Sequence, residues 1–214
     1  MSTLLVVRHG QAEGNADHRF IGQSPARLTE TGKAQAESVA RRLSELPITR
    51  IVSSDLVRCV ETAEPLAHAA GVEVEHRPEL REIDNGEWTG LLPAEIQGRW
   101  PDLWHDYANG VDVARPGGET WRQVANRVVP VAEELLAADG VTVISTHSGP
   151  TLILAMWASG IEVEGNIFSG RFGALHNCSV TVLVPGPRLI SYNDVGHLAT
   201  LPDQRLPFSP VIPS

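Results

Sequence analysis

Two short apolar runs, each ending in a histidine, limit the fold of this chain more than any other feature. Leu4-Leu5-Val6-Val7 stops at Arg8-His9-Gly10, and Val141-Thr142-Val143-Ile144-Ser145 stops at Thr146-His147-Ser148-Gly149. Runs of this length with little polar alternation read as strands covered on both faces. Between them the pattern changes to a helical period. Thr29 is a candidate N-cap for a helix reaching about Leu46, with Ala36, Val39, Ala40, Leu43 and Leu46 on one stripe. Pro47 stops that helix, 50–53 reads as a short buried strand, and Ser53-Ser54-Asp55 offers capping oxygens to a second helix over about 56–70, ended by Gly71. Residues 72–76 alternate like a strand, 80–90 form a glycine-containing loop, and 93–110 hold one or two short helices. Pro116-Gly117-Gly118 is a turn before a helix over about 120–138, and a further helix follows His147. The segments 179–184 and 189–192 make a hairpin around Pro185-Gly186-Pro187.

Strands alternating with helices predict the α/β class, a three-layer α/β/α sandwich with a mostly parallel central sheet. In such a sheet the strand C-termini share one edge, so His9, Ser53 with the helix after it, and His147 should converge although they lie far apart in the chain. The 214 residues show no repeat or internal linker. We therefore expect one domain over 1–214, with an inserted helical lid at about 91–115 and an irregular, proline-rich tail at about 202–214.

Charge and composition exclude several classes. A net charge of -9 argues against a nucleic-acid partner, because a phosphate backbone needs a basic surface. It leaves a small anionic substrate open, since one contact pair at ~4 Å is worth about 4 kcal/mol at an effective dielectric of ~20 while diffuse charge is screened by salt. Met1-Ser2-Thr3 carries no basic region, and the apolar run after it is too short for a signal peptide or a membrane span. A cytoplasmic protein with no membrane partner is the expectation. Cys59 and Cys178 lack any metal-ligand spacing, and the eight histidines show no HxH or HxxxH pairing, so neither a metal nor another cofactor is expected. A monomer and a homodimer are equally compatible with the sequence.

The residues at the expected edge suit a phosphate. Arg8 offers a charge-assisted fork, Arg58 lies one turn into the helix after Ser53, and His147 opens a helix whose N–H groups favour an anion. These residues belong to a larger ordered set: Arg8-His9-Gly10, Ser53-x-x-x-x-Arg58-x-x-x-Thr62, Leu80-x-Glu82-x-x-x-Gly86-x-Trp88-x-Gly90, Pro116-Gly117-Gly118-Glu119-Thr120, and Thr146-His147. With Leu175-x-Asn177 and Asn193-Asp194-x-x-His197 after them, the set resembles the histidine phosphatase superfamily, and within it the phosphoglycerate-mutase-like branch.

The resemblance implies that His9 is a nucleophile forming a phosphohistidine and that Glu82 is the proton donor to the leaving oxygen. Arg8, Arg58 and His147 would supply positive charge around the phosphoryl oxygens without a metal. His9 must attack as neutral imidazole, which neighbouring cations favour. Glu82 must begin protonated and would then deprotonate the water that cleaves the phosphohistidine. The resemblance also places Asn15, Gly22 and Gln23 in contact with substrate, and Ser148, which stands where the family generally has glycine, is a further candidate contact through its hydroxyl or its backbone N–H alone. Ala12 and Gly14 replace a small hydroxyl residue and an aromatic residue usual in the first loop, which removes or replaces one side-chain hydrogen bond to phosphate.

Other readings are weaker. A serine nucleophile at Ser148 would need glycine two residues earlier, where Thr146 stands. A phosphoglycerate mutase would return the phosphoryl group to substrate, but in 91–115 the cations Arg99 and Arg115 face Glu95, Asp102, Asp106 and Asp112, a poor balance for a second phosphate. A non-catalytic phospho-ligand-binding protein would have no need of Glu82. The expected function is hydrolysis of a small phosphorylated metabolite.

Overall fold

The computed structural model describes residues 2–14, 19–169, 172–199 and 201. Its sheet has six strands: β1 (Ser2–Arg8), β2 (Ile48–Ser53), β3 (Val74–His76), β4 (Gly140–Thr146), β5 (Val180–Val184) and β6 (Arg188–Asp194), in the order β3-β2-β4-β1-β5-β6. The first four run parallel to one another, and β5 and β6 add an antiparallel hairpin beside β1. β1 and β4 pair from Ser2 opposite Gly140 to Arg8 opposite Thr146. The two apolar runs therefore lie side by side, and their histidines leave the sheet together.

Because side chains alternate along a strand, each run serves both faces. Leu5, Val7, Ile51 and Val143 pack against Val39, Leu43, Ala63 and Leu66 of α1 (Glu30–Leu43) and α2 (Val57–Ala70). Leu4, Val6, Val52 and Ile144 pack against Val124, Val128, Leu135 and Leu152 of α5 (Trp121–Ala137) and α6 (Ser148–Trp157). Burial of each such aliphatic side chain stabilises the fold by roughly 1.5–3 kcal/mol. The result is the expected three-layer sandwich. The short helices α3 (Pro93–Arg99) and α4 (Pro101–Ala108) stand outside it, on a separate cluster built around Trp88 and Ile96.

Several local expectations need correction. α1 stops at Leu43 with Ser44 as its C-cap, β2 begins at Ile48, and the strand expected over 72–76 is confined to Val74–His76. Thr29 does cap α1, its Oγ1 accepting the Gly32 N–H at 3.1 Å. The oxygens of 53–55 do not cap α2, whose N-cap is Leu56 with no side-chain bond. Ser53 Oγ donates instead to Ser54 O, and Asp55 pairs with Arg81. α5 runs through Pro130, and its start is held by a capping box between Thr120 and Gln123. The tail at 202–214 lies outside the described residues. Among the described residues no helix is long and apolar enough to cross a membrane.

Candidate active site

The site begins where β1 ends. The His9 N–H donates to Thr146 O at 2.8 Å, continuing the β1–β4 ladder by one residue, and Asn177 Nδ2 donates to His9 O at 2.9 Å. His9 Nδ1–H donates to Gly10 O at 2.7 Å. A carbonyl can only accept, so the proton sits on Nδ1 and Nε2 keeps its lone pair. The imidazole is buried, and burial first, then the Arg58 and Arg8 guanidiniums, hold its pKa well below the ordinary histidine value. Burial therefore outranks the cations expected to do this. Gly10 is needed here because a Cβ would press on Gly32 O of α1, and the Gly10 N–H donates to Thr62 Oγ1 at 3.0 Å.

Both arginines are built in by backbone carbonyls. Arg8 Nη1 donates to Leu175 O, which accounts for the Leu175-x-Asn177 element: it holds Arg8 and His9 in one stroke. Arg58, buried in the first turn of α2, donates to Ser24 O at 3.0 Å and Gly22 O at 2.7 Å. Among the described residues the Nε of each arginine is buried without a partner, leaving donor capacity beside His9.

Glu82 lies at the N-terminus of α6. Its Oε2 accepts from Ser148 Oγ and from the Gly149 N–H, both at 3.2 Å, and its Oε1 accepts the Ile83 N–H at 3.0 Å. Gly149 permits this approach, since a Cβ there would overlap Glu82 Oε1 and the Trp121 ring. The loop behind Glu82 is fixed by the glycine turn 116–118. Cβ atoms on Gly86 or Gly118 would collide with the opposing backbone, and the Glu87 N–H donates to Pro116 O at 2.9 Å.

A cavity of about 410 Å³ opens over these groups, with Arg8, His9, Arg58, Glu82 and Ser148 among its walls. Gly22 also lines it, while its carbonyl holds Arg58. Gln23 is not among the lining residues; its Nε2 donates to Glu82 O at 3.1 Å and its Oε1 accepts from Arg81. Asn15 lies outside the described residues. His147 is wholly buried behind His9, their ring centroids 5.2 Å apart and edge-on. Its Nε2 is 2.9 Å from Ser54 Oγ, and burial with the neighbouring Arg58 keeps its pKa well below the ordinary value. His147 thus packs edge-on against His9, with burial and the neighbouring Arg58 disfavouring its charged form.

The segment 91–115 also differs from expectation. Trp100 and Trp104 pack on the Trp88 cluster, whereas Tyr107 belongs to that cluster and to the cavity wall. Arg115 lines the cavity too, buried among Trp88, Tyr107 and Trp121 with ring centroids 5.1–5.6 Å from its Cζ. Counting charges along the segment misjudged this wall, because two of its four acids are engaged by backbone N–H groups. Glu95 accepts the Leu92 N–H, and Asp112 accepts the Trp121 and Arg122 N–H groups. Ala12 packs with Ala26, Leu28 and Ala36, and Gly14 leaves room for Ile21. Those departures from the family pattern are thereby accounted for by packing.

The strand ends of the sheet thus present an Arg-His pair, a second buried arginine and a helix-seated glutamate over one cavity. The chain belongs to the histidine phosphatase superfamily (branch 1), whose family model matches residues 4–194. It is 33% identical over 182 residues to the glucosyl-3-phosphoglycerate phosphatase of Mycolicibacterium vanbaalenii, covering 79% of this chain and 80% of that protein. It is 39% identical over 190 residues to the probable phosphoglycerate mutase GpmB of Cronobacter sakazakii, covering 85% and 84%. Among solved structures, the native mycobacterial glucosyl-3-phosphoglycerate phosphatase superposes with a TM-score of 0.79 at 31% identity, covering 90% of this chain and 99% of that one. YhfR of Bacillus stearothermophilus superposes with a TM-score of 0.83 at 26% identity, covering 92% and 100%.

Proposed function

We propose that this protein hydrolyses phosphate monoesters by double displacement on His9. The Nε2 lone pair attacks phosphorus, the bond to the leaving oxygen breaks, and the Glu82 carboxyl gives its proton to that oxygen. Water then attacks the phosphohistidine. Glu82 takes the water proton, the P–N bond breaks, and phosphate leaves with His9 neutral and Glu82 protonated again. Arg8 and Arg58 hold the phosphoryl oxygens, on which negative charge is concentrated throughout transfer. The observation that carries this reading is the His9 Nδ1–H bond to Gly10 O, which leaves Nε2 unprotonated on a cavity shared with Arg8, Arg58 and Glu82.

The cavity charge favours a leaving group that is itself anionic. Arg8, Arg58 and Arg115 line the wall, and Arg19 beside them is 3.6 Å from Glu95. With Glu82 protonated, a phosphoryl dianion offsets two of the three inner guanidiniums and leaves one positive charge. Arg115 forms no ion pair with a carboxylate among the described residues, and its Nε has no hydrogen-bond partner. A carboxylate on the leaving group suits it, in keeping with the phosphoglycerate esters in the names of the relatives. Hydrolysis is favoured over isomerisation because Arg115 is the only such extra cation at the inner wall among the described residues.

Turnover of p-nitrophenyl phosphate in EDTA tests the reading. His9→Ala should lower it by at least ~10³-fold. No turnover by the wild-type protein between about pH 5 and pH 8 would instead favour a non-catalytic phosphate-binding role. With 3-phosphoglycerate, free phosphate should appear faster than the 2-isomer; the reverse order would make the protein a mutase.

A further inference from the structure

Arg127 lies on α5, outside the cavity walls, yet all five of its N–H donors are engaged around the proton-donor loop. Nε and Nη2 bind Glu119 Oε1 and Oε2, each at 2.9 Å, in a bidentate pair. Nη1 donates to Glu79 O at 2.6 Å and to Arg81 O at 2.7 Å, and Nη2 donates to Glu82 O at 3.0 Å. Glu119 closes the other side, accepting the Asp84 N–H at 2.8 Å while its own N–H donates to Asp84 O at 2.8 Å. The backbone on both sides of Glu82 is thereby tied to one ion pair. Arg127 and Glu119 are both largely shielded from solvent.

This geometry is directional. A loop needs no convergence of three carbonyls on one guanidinium merely to stay folded, and the rest of the 80–90 loop is already docked by Gly86 on the 116–118 turn. The carbonyls that Arg127 gathers belong to Glu82 itself, its predecessor Arg81, and Glu79 one turn earlier. With them fixed, the Glu82 side chain can meet Ser148 Oγ and the Gly149 N–H at the start of α6. A lysine has three donors on a point charge and cannot reproduce the planar fork.

We propose that the Glu119–Arg127 pair is the positioning device for the proton donor: it acts through Glu82 and touches no substrate. The inference rests on the phosphatase reading, in which Glu82 protonates the leaving oxygen. It predicts a signature that general loss of structure does not produce. A strongly acidic leaving group departs without protonation, whereas an alkoxide needs the proton. In kcat/KM, which reports the first displacement, misplacing Glu82 should therefore penalise poor leaving groups alone, by about the 10²–10⁴-fold that a general acid contributes.

The test compares kcat/KM for 2,4-dinitrophenyl phosphate and for glycerol 3-phosphate in the wild-type protein, Arg127→Gln, Arg127→Lys and Glu119→Gln. The expected result for Arg127→Gln is a loss of ~10²-fold on the glycerol ester with the dinitrophenyl ester within about threefold of wild type. Arg127→Lys should recover little of it, and Glu82→Gln should show the same selectivity. An equal loss on both esters, a larger loss on the dinitrophenyl ester, or no loss on either overturns the proposal. If Arg127→Gln fails to fold, Glu119→Gln decides by the same criterion, since it breaks the ionic pair while keeping the side-chain shape. The two ideas fail separately: a wild-type protein that turns over neither ester sinks the phosphatase reading and this inference with it, whereas wild-type turnover with unselective variants sinks the inference alone.

Discussion

A histidine attacks phosphorus only through an unprotonated nitrogen, and His9 is kept in that form twice over. Gly10 O fixes the proton on Nδ1, and burial with Arg58 and Arg8 makes a second proton unfavourable. The sign of the pH effect follows. In the proposed mechanism the neutral form is the active one, and its pKa is held well below the ordinary histidine value, so activity should not fall as the pH drops through 6.5. After correction for substrate ionisation, kcat/KM for the dinitrophenyl ester should hold across that value. A decline with the midpoint of an ordinary imidazole would show that His9 is not depressed. Gly149 supplies a second residue-scale prediction. Gly149→Ala introduces a methyl group where Glu82 Oε1 and Trp121 already sit, at a cost of about 1–3 kcal/mol in thermal or denaturant unfolding, together with a selective loss on poor leaving groups. Unchanged stability and activity would mean that Glu82 does not sit against α6.

At the scale of elements, α5 and α6 act as a pair: α6 receives the Glu82 side chain at its N-terminus, and α5 holds the loop that delivers it. The N–H groups of a helix N-terminus lack intrahelical partners and suit the carboxylate that Glu82 becomes once it has given up its proton. The helices of 91–115 depend on a different anchor. α4 contributes no buried residue, so α3 and α4 are held largely through the fully buried Trp88 ring and its aromatic neighbours. Trp88→Ala should destabilise the protein by about 3–5 kcal/mol and raise hydrogen exchange across Pro93–Ala108 before it affects β1 and β4. Uniform exchange changes would contradict a separate cluster. Reading these elements from sequence worked where a period or a cap was present, as at Thr29. It failed at α2, because Ser54 Oγ, shared with His147, reaches only the N–H of the N-cap Leu56, and Asp55 is drawn to Arg81, partners that lie far along the chain.

Across the whole molecule, the parallel topology makes the site. Residues 8–9, 58 and 147 meet because strand C-termini share an edge, which two apolar runs ending in histidine made legible, whereas Glu82 was singled out only by the family resemblance. Arg115, Glu119 and Arg127 were not marked as functional, because their contacts are set by tertiary packing and no local spacing announces them. The same distance between sequence and space explains how a chain of net charge -9 lines its cavity with guanidiniums: several of its acids, along 91–115 and elsewhere, are engaged with backbone N–H groups and other arginines. The central claim is that His9 Nε2 carries the phosphoryl group between the two displacements. Rapid quenching during turnover of a radiolabelled phosphate monoester, followed by peptide mapping in alkali, tests it most directly. The account predicts an acid-labile, alkali-stable phosphoenzyme with its label on Nε2 of His9, absent from His9→Ala. Turnover without a phosphoenzyme, or a label on Ser148 or any other residue, would contradict it.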